Sequence, residues 1–386
     1  MSDEKSNPNP PATIRTLEVA RTALAKTRIV EVAAVPLTNG QVLLKIDRFA
    51  LTANNISYAV FGDMLGYWDF FPTGSSEWGR VPAMGWATVV DTEVEAIPIG
   101  RRFYGWFPMA SHVTFSPSVT PDGFRDDGEH RKDHAPIYRS YVSTESDVMY
   151  PSTAEGVDGS LADAENRHVL LRGLALTGFL AEEFFADGGG SGASYFGSSR
   201  VIVLSASSKT ALGFAERASR REGISVVGVT SAGNRAMVEA TGYYDTVVSY
   251  DEIDGLETNG GAVVIDMAGN PTALRAVHER FGDELGYSML VGRSHHDAKP
   301  STTQPLPGPT PTMFFAPTEV TRRSKEWGRT EYAKRCASAI ASFATASREW
   351  LSVETRHGST GAEAAWSDVY AGAVDPRVGI VVAMAD

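Results

Sequence analysis

The twenty residues 201–220, VIVLSASSKTALGFAERASR, decide the fold. A run of buried-strand residues, VIVL, enters a turn of small residues and then a helical pattern. That strand-turn-helix order aims the first amides of a helix at an anionic group. In place of the usual G-x-G-x-x-G the turn reads Ser205-Ala206-Ser207-Ser208-Lys209-Thr210-Ala211. Close backbone approach is thereby exchanged for hydroxyl donors and one cation. We read Ser205, Ser207, Ser208, Lys209 and Thr210 as the phosphate side of a dinucleotide site, with helix capping as the alternative use of the serines.

Working outward, strand-like runs recur in RVIVLS (200–205), ISVVGVT (224–230), TVVSY (246–250), AVVIDMAG (262–269) and YSMLVG (287–292). The intervals are long enough to return on helices, and continuous Val/Ile runs suit strands buried on both faces, so a parallel sheet is expected. The second strand ends in Thr230-Ser231 with Asn234-Arg235 following. An Asp or Glu there would hold a ribose 2′-hydroxyl; this set favours a 2′-phosphate and hence NADP(H). Gly269 and Gly292, closing two of the later strands, are assigned to the same cofactor side.

Residues 161–187 carry apolar positions at helical spacing through VLLRGLALTGFLAEEFF, with GGGSGASYFGSS (188–199) as a flexible exit. Upstream, from Ile29 to about Tyr150, VLLKIDRFAL (42–51), WATVV (86–90) and YGWF (104–107) read as short strands between turns. The mixed-charge stretch FRDDGEHRKDHAPIYR (124–139) reads as a solvated surface excursion. STTQPLPGPTPTMFFAP (301–317) is a lid or connector, residues 321–351 a long helix, and GIVVAM (379–384) a strand that rejoins the first β-rich part.

The chain has 386 residues, enough for about two or three domains. Its 35 Lys+Arg against 47 Asp+Glu give a net charge of −12, which argues against general nucleic-acid binding. A single cysteine, Cys336, cannot form an internal disulfide or a multi-thiolate zinc site and suits a reducing cytoplasm. The first dozen residues read as a disordered tail without secretory character, and no apolar run is long enough to span a membrane. A G-x-S-x-G elbow and a Walker A loop are both lacking, which disfavours serine-hydrolase and phosphotransfer chemistry.

PLTNGQVLLKIDRFALTANN (36–55), ATGYYDTVVSY (240–250), VVIDMAGN (263–270), MLVG (289–292) and AGAVDPRVGIVV (371–382) together resemble the medium-chain dehydrogenase/reductase superfamily, in its zinc-free quinone-reductase-like branch. NNISYAVFGDMLGYWDFFP (54–72), SASSKTA, FFAP and KEWG resemble, more closely, a mainly bacterial group catalogued as domain of unknown function 2855. The superfamily resemblance implies an α/β fold with a GroES-like β-rich domain plus a Rossmann doubly wound parallel sheet. The expected division is 1–12 tail, 13–160 and 345–386 substrate domain, and 161–344 dinucleotide-binding domain.

Zinc-dependent members carry Gly-His-Glu where this sequence has Met84-Gly85-Trp86, so no metal is expected. His295 and His296 are adjacent and poor joint ligands. A reductase without metal needs a proton donor or an oxyanion-stabilising hydrogen bond. The aromatic stretch 58–71 lies where quinone-reductase-like relatives form their substrate pocket. Tyr58 is the first choice for donor, Tyr138 and Thr177 follow, and His295 could replace Tyr58 because it follows a sheet strand at its ligand-binding end. Asn54, Asn55, Tyr67, Trp68, Phe71 and Thr177 are assigned to the substrate pocket. The expected activity is NADPH-dependent reduction of a small apolar carbonyl, enone or quinone. Its rivals are a nucleotide-binding sensor or scaffold without hydride transfer and a non-redox carbon–carbon bond-cleaving enzyme. The partner is a small-molecule substrate, with no nucleic acid or membrane, and a homodimer is left open.

Overall fold

The computed structural model describes residues 11–291 and 305–384. Six parallel strands, β1 (Arg200–Leu204), β2 (Ser225–Thr230), β3 (Thr246–Ser249), β4 (Ala262–Asp266), β5 (Leu285–Leu290) and β6 (Thr312–Met313), form one sheet in the order β3-β2-β1-β4-β5-β6. The order reverses between β1 and β4, which opens a crevice at the carboxyl ends of those strands.

Period-two alternation explains why this sheet is covered twice. Val201, Val203 and Ile265 pack with Ala181, Phe185, Phe214 and Ala215 on one face. Ile202, Leu204 and Val264 pack with Ile253, Leu274, Val277 and Phe281 on the other. All six strand residues are fully buried, as a doubly wound sheet requires.

The β-rich part is built on an antiparallel sheet in which Val42–Leu51 lies between Pro82–Thr92 and Val378–Ala383. Pro82–Thr92 continues to Arg102–Pro108 and Ser140–Ser143. The C-terminal strand therefore does rejoin the N-terminal half. It does so through a parallel pair, Ser352–His357 with Val378–Ala383, bridged by the helix Gly358–Tyr370. The molecule thus has an α/β fold composed of a GroES-like β-rich domain and a Rossmann sheet.

A 26-residue helix, Leu161–Ala186, lies against both parts, capped by the Ser160 hydroxyl accepting from the Asp163 amide. Val169, Leu170 and Leu171 meet Ala50, Trp86 and Val381 on one side and Leu212, Ile340 and Phe343 on the other. Gly178 allows this helix to touch the helix Lys209–Ala218. A Cβ there would come within 2.7 Å of the Phe214 nitrogen.

Three local expectations are corrected. The long helix expected over 321–351 is two helices, Ala316–Trp327 and Arg329–Ala346, because Gly328 takes φ +78° between them. The 188–199 exit is folded rather than flexible: Tyr195 is fully buried and donates to Glu182 at 3.0 Å. The 124–139 stretch is not a solvated excursion either. Arg131 is fully buried, its guanidinium over the rings of Phe70 and Phe71, and it donates to the carbonyls of Phe70 and Tyr138. Charge composition misled here because a buried arginine can satisfy its donors on backbone carbonyls.

Candidate functional site

The β1 turn sits at the switch point. Ser205 takes φ +58°, the conformation a glycine would adopt without strain, and its hydroxyl lies 3.4 Å from that of Tyr250. Ser208 caps the helix Lys209–Ala218 by accepting from the Ala211 amide at 3.3 Å. The helix's first amides have no intrahelical partner and face the crevice end of the sheet. Ser207 accepts from Thr230 at 3.3 Å and from Asn234 at 3.1 Å, so the turns after β1 and β2 are tied together and the Ser207 proton remains available to donate. Thr210 and Thr230 are buried; Ser231 precedes the short helical turn that carries Asn234.

Across the switch point, the buried Asp266 carboxylate at the end of β4 accepts from the amides of Ala268, Gly269 and Asn270 at 3.1, 2.9 and 2.8 Å. Gly269 supplies the φ of +71° that this ring of contacts needs. Asp266 ends a strand in the sequence, and these three bonds give it its part in shaping the crevice rim.

Two cations expected to meet phosphate are engaged elsewhere in the structure. Lys209 Nζ donates to the carbonyls of Pro376 and Val378 at 3.1 and 2.8 Å, in the segment entering the last strand of the β-rich sheet. Burial lowers its pKa to about 8, against the opposing pull of Asp375. Arg235 is partly exposed and held by Glu239 and Glu252, each at 2.9 Å. Hydrogen bonding to Glu239 comes first among the causes that raise its pKa.

On the β-rich side the tyrosines converge. The Tyr58 ring lies 4.9 Å from that of Tyr67 and 5.2 Å from that of Trp106; Trp106 in turn lies 5.3 Å from Tyr138. The hydroxyls of Tyr67 and Tyr138 are 3.3 Å apart, and Asn54 lies one turn before Tyr58 on the same helix. Burial is the first cause raising all three phenol pKa values, so the cluster presents neutral hydroxyls as donors. His134 stacks edge-on against Phe70 at 4.5 Å, with Nε2 placed 3.2 Å from the Gly66 carbonyl.

Strand register connects the two halves. Ile380 pairs with Leu51, and Leu51 leads directly through Thr52 into the helix Ala53–Val60 that carries Asn54 and Tyr58. Val378, the Lys209 acceptor, is two residues from Ile380. The nucleotide-type turn is therefore fastened at the strand end from which the tyrosine helix starts.

Several residues assigned to the pocket belong to the framework. Asn55 completes a capping box, accepting from the Thr52 amide at 2.8 Å and donating to the Pro82 carbonyl at 3.0 Å. Trp68 is 2 % exposed and fills a slot whose walls are Gly62 and Gly79. Phe71 is buried beside Arg131. The Thr177 hydroxyl donates back to the Gly173 carbonyl at 2.9 Å. His295, His296 and Gly292 lie outside the described residues. Sequence reading passes over Trp106 and His134: Trp106 sits among buried aromatic neighbours in a strand where no alternation singles it out, and His134 is concealed in a charged stretch.

In the position compared with Gly-His-Glu, Trp86 is fully buried. Its indole donates to the Glu165 carbonyl at 3.4 Å and stacks on His168 at 5.8 Å. Among the described residues no three His, Cys, Asp or Glu side chains gather as a metal-binding group, and no helix is long and apolar enough to cross a membrane.

None of the curated proteins matches the sequence. Solved structures do match in fold over nearly the whole chain. CurA from Vibrio vulnificus in complex with NADPH is 12 % identical with a TM-score of 0.58, covering 96 % of this chain and 99 % of that one. A putative NADPH:quinone reductase from Mesorhizobium loti is 12 % identical with a TM-score of 0.58, covering 97 % and 99 %. The mitochondrial 2-enoyl thioester reductase heterodimer Etr1p/Etr2p from Candida tropicalis is 11 % identical with a TM-score of 0.54, covering 96 % and 99 %. The shared architecture is that of the medium-chain dehydrogenase/reductase fold. At the level of sequence, residues 49–375 match the family described as protein of unknown function (DUF2855), and the chain belongs to that family.

Proposed function

We propose that this protein is a metal-independent, NADPH-dependent oxidoreductase that reduces a small, largely apolar carbonyl, enone or quinone. In this division, residues 161–344 serve the cofactor and residues 13–160 with 345–386 serve the substrate. The observation that carries the reading is the placement of a helix-starting turn at the β1/β4 switch point, fastened through Lys209 to the strand end that leads into the tyrosine cluster. NADP complexes of structures with the same fold support it, as do the reductase names of those structures.

The turn fits a dinucleotide pyrophosphate in its donors. The helix-start amides of Lys209 and Thr210, the Ser207 proton and the hydroxyl of Thr210 would supply neutral hydrogen bonds, with Ser205 already in the conformation of a glycine. Beyond them, Thr230, Ser231, Asn234 and Arg235 would surround the adenosine end. The cofactor, when bound, supplies hydride. The chain's own contribution would be the aromatic cluster of Tyr58, Tyr67, Trp106 and Tyr138 as an apolar wall for the substrate, and a phenol proton at Tyr58 for the charge that develops on it.

The reading is tested by titrating the protein with NADPH, followed by cofactor fluorescence, and then by measuring NADPH oxidation with a panel of quinones, enones and aldehydes. Binding together with substrate-dependent oxidation supports it. Binding without oxidation across the panel favours the sensor alternative, and absence of binding overturns it.

A further inference from the structure

Lys209 stands at the start of the helix that follows the nucleotide-type turn, yet its acceptors are 167 and 169 residues away in sequence. The segment it reaches is shaped to receive it. Asp375 accepts from the Arg377 amide at 2.8 Å and from the Arg377 guanidinium at 2.7 Å, and the Val378 amide returns to the Asp375 carbonyl at 2.8 Å. The Arg377 carbonyl is taken by the Ser352 amide at 2.8 Å on the neighbouring strand. The carbonyls on either side of it in the chain, those of Pro376 in the turn and Val378 at the start of the strand, go to Lys209. An ammonium has three protons and an amine two, so both bonds can be kept in either protonation state.

The bonds add to apolar packing against the helix Leu161–Ala186 and to polar ties such as Arg48 and Arg102 on Glu165, and they are the ones that start at the nucleotide-type turn itself. Apolar contact is non-directional and permits sliding, whereas two converging hydrogen bonds from one nitrogen fix a position. The segment that receives them runs into the strand whose Ile380 pairs with Leu51, and from there into the Asn54–Tyr58 helix.

We propose that Lys209 is a latch between the two halves of the cleft, a positioning residue that sets the nucleotide turn against the strand leading to the tyrosine cluster. Its structural part stands independently of the reductase reading; its effect on turnover rests on that reading.

The test uses Lys209→Met, which keeps length and removes the donors. Amide exchange of residues 378–383 and 52–58 in the unliganded variant should quicken at least tenfold over the wild type. NADPH affinity should fall less than threefold, while kcat falls tenfold or more. Unchanged exchange overturns the latch, as does a tenfold loss of NADPH affinity with exchange unchanged, which would make Lys209 a phosphate ligand. If the variant does not fold, acylation of wild-type lysines decides. Lys209 should react far more slowly than the exposed Lys325 and Lys334, without NADPH present; equal rates overturn the proposal. Failure of the wild type to bind NADPH would sink the reductase reading while the exchange and acylation results still judge the latch.

Discussion

The hydroxyl oxygens of Tyr67 and Tyr138 lie 3.3 Å apart, joining two segments separated by 71 residues at the floor of an aromatic cluster. On the proposed reading Tyr58 gives its proton to the substrate, while the Tyr67–Tyr138 pair shares one hydrogen bond between its two hydroxyls. Tyr58→Phe retains the ring contacts with Tyr67 and Trp106 and removes only the hydroxyl. We expect nucleotide binding to be unchanged and turnover to fall by about 10²–10⁴-fold, measured by NADPH oxidation. Full activity would transfer the role to another donor.

On the proposed reading Arg235 bears on cofactor choice. Its guanidinium is shared between Glu239 and Glu252, both of which would compete with a 2′-phosphate there. Arg235→Ala should weaken NADPH alone and bring its affinity to that of NADH. Glu252→Gln should act in the opposite direction, strengthening NADPH several-fold with NADH unaffected. Parallel fluorescence titrations with both nucleotides check the pair, and equal shifts for the two nucleotides would contradict the assignment.

Ser205 carries backbone strain of about 1–2 kcal/mol for an L-residue at φ +58°. Ser205→Gly relieves it at the cost of greater freedom in the unfolded chain, so stability should remain within about 1 kcal/mol of the wild type. Ser205→Val, branched at Cβ, should destabilise clearly. Urea denaturation of the two variants separates these outcomes.

Trp68 depends on glycine at both of its faces. A Cβ at Gly79 would lie 2.3 Å from the Trp68 ring, and one at Gly62 would lie 2.1 Å from its indole nitrogen. Gly79→Ala should cost about 1–3 kcal/mol through forced repacking and lower the melting temperature. Calorimetry of this single variant is sufficient.

The lowered pKa of Lys209 sets a pH dependence of stability. Its folded value, about 8, is below its ordinary 10.5, so between these values the unfolded chain binds more protons than the folded one. The burial cost is therefore fully present below pH 8 and is relieved as pH rises toward 10.5. Subtracting the stability–pH curve of Lys209→Met from that of the wild type should give a rising difference over this window. A flat difference would place the ammonium in a well-solvated setting.

The parallel sheet, the long helix and the C-terminal return to the β-rich half were legible because each depends on local pattern: unbroken Val/Ile runs, helical spacing from 161 to 186, and a terminal apolar strand. The helix break at Gly328 was harder to read, since one glycine within helical periodicity does not announce its φ.

The sequence by itself determined the doubly wound sheet, the cofactor-type turn and the stretch from which an aromatic cluster is drawn, because periodicity and turn chemistry act over a few residues. Tertiary structure alone decided which side chains are used and how. Trp68 and Tyr67 are one residue apart, yet one fills a glycine slot and the other joins Tyr138. Arg131 is buried in a segment that reads as solvated. Lys209 reaches the carbonyls of Pro376 and Val378 rather than its own turn. Each of these outcomes depends on partners scores of residues away in the chain, and a hydrogen-bond donor's commitment is fixed by whichever acceptor the fold brings within reach, which no local pattern encodes.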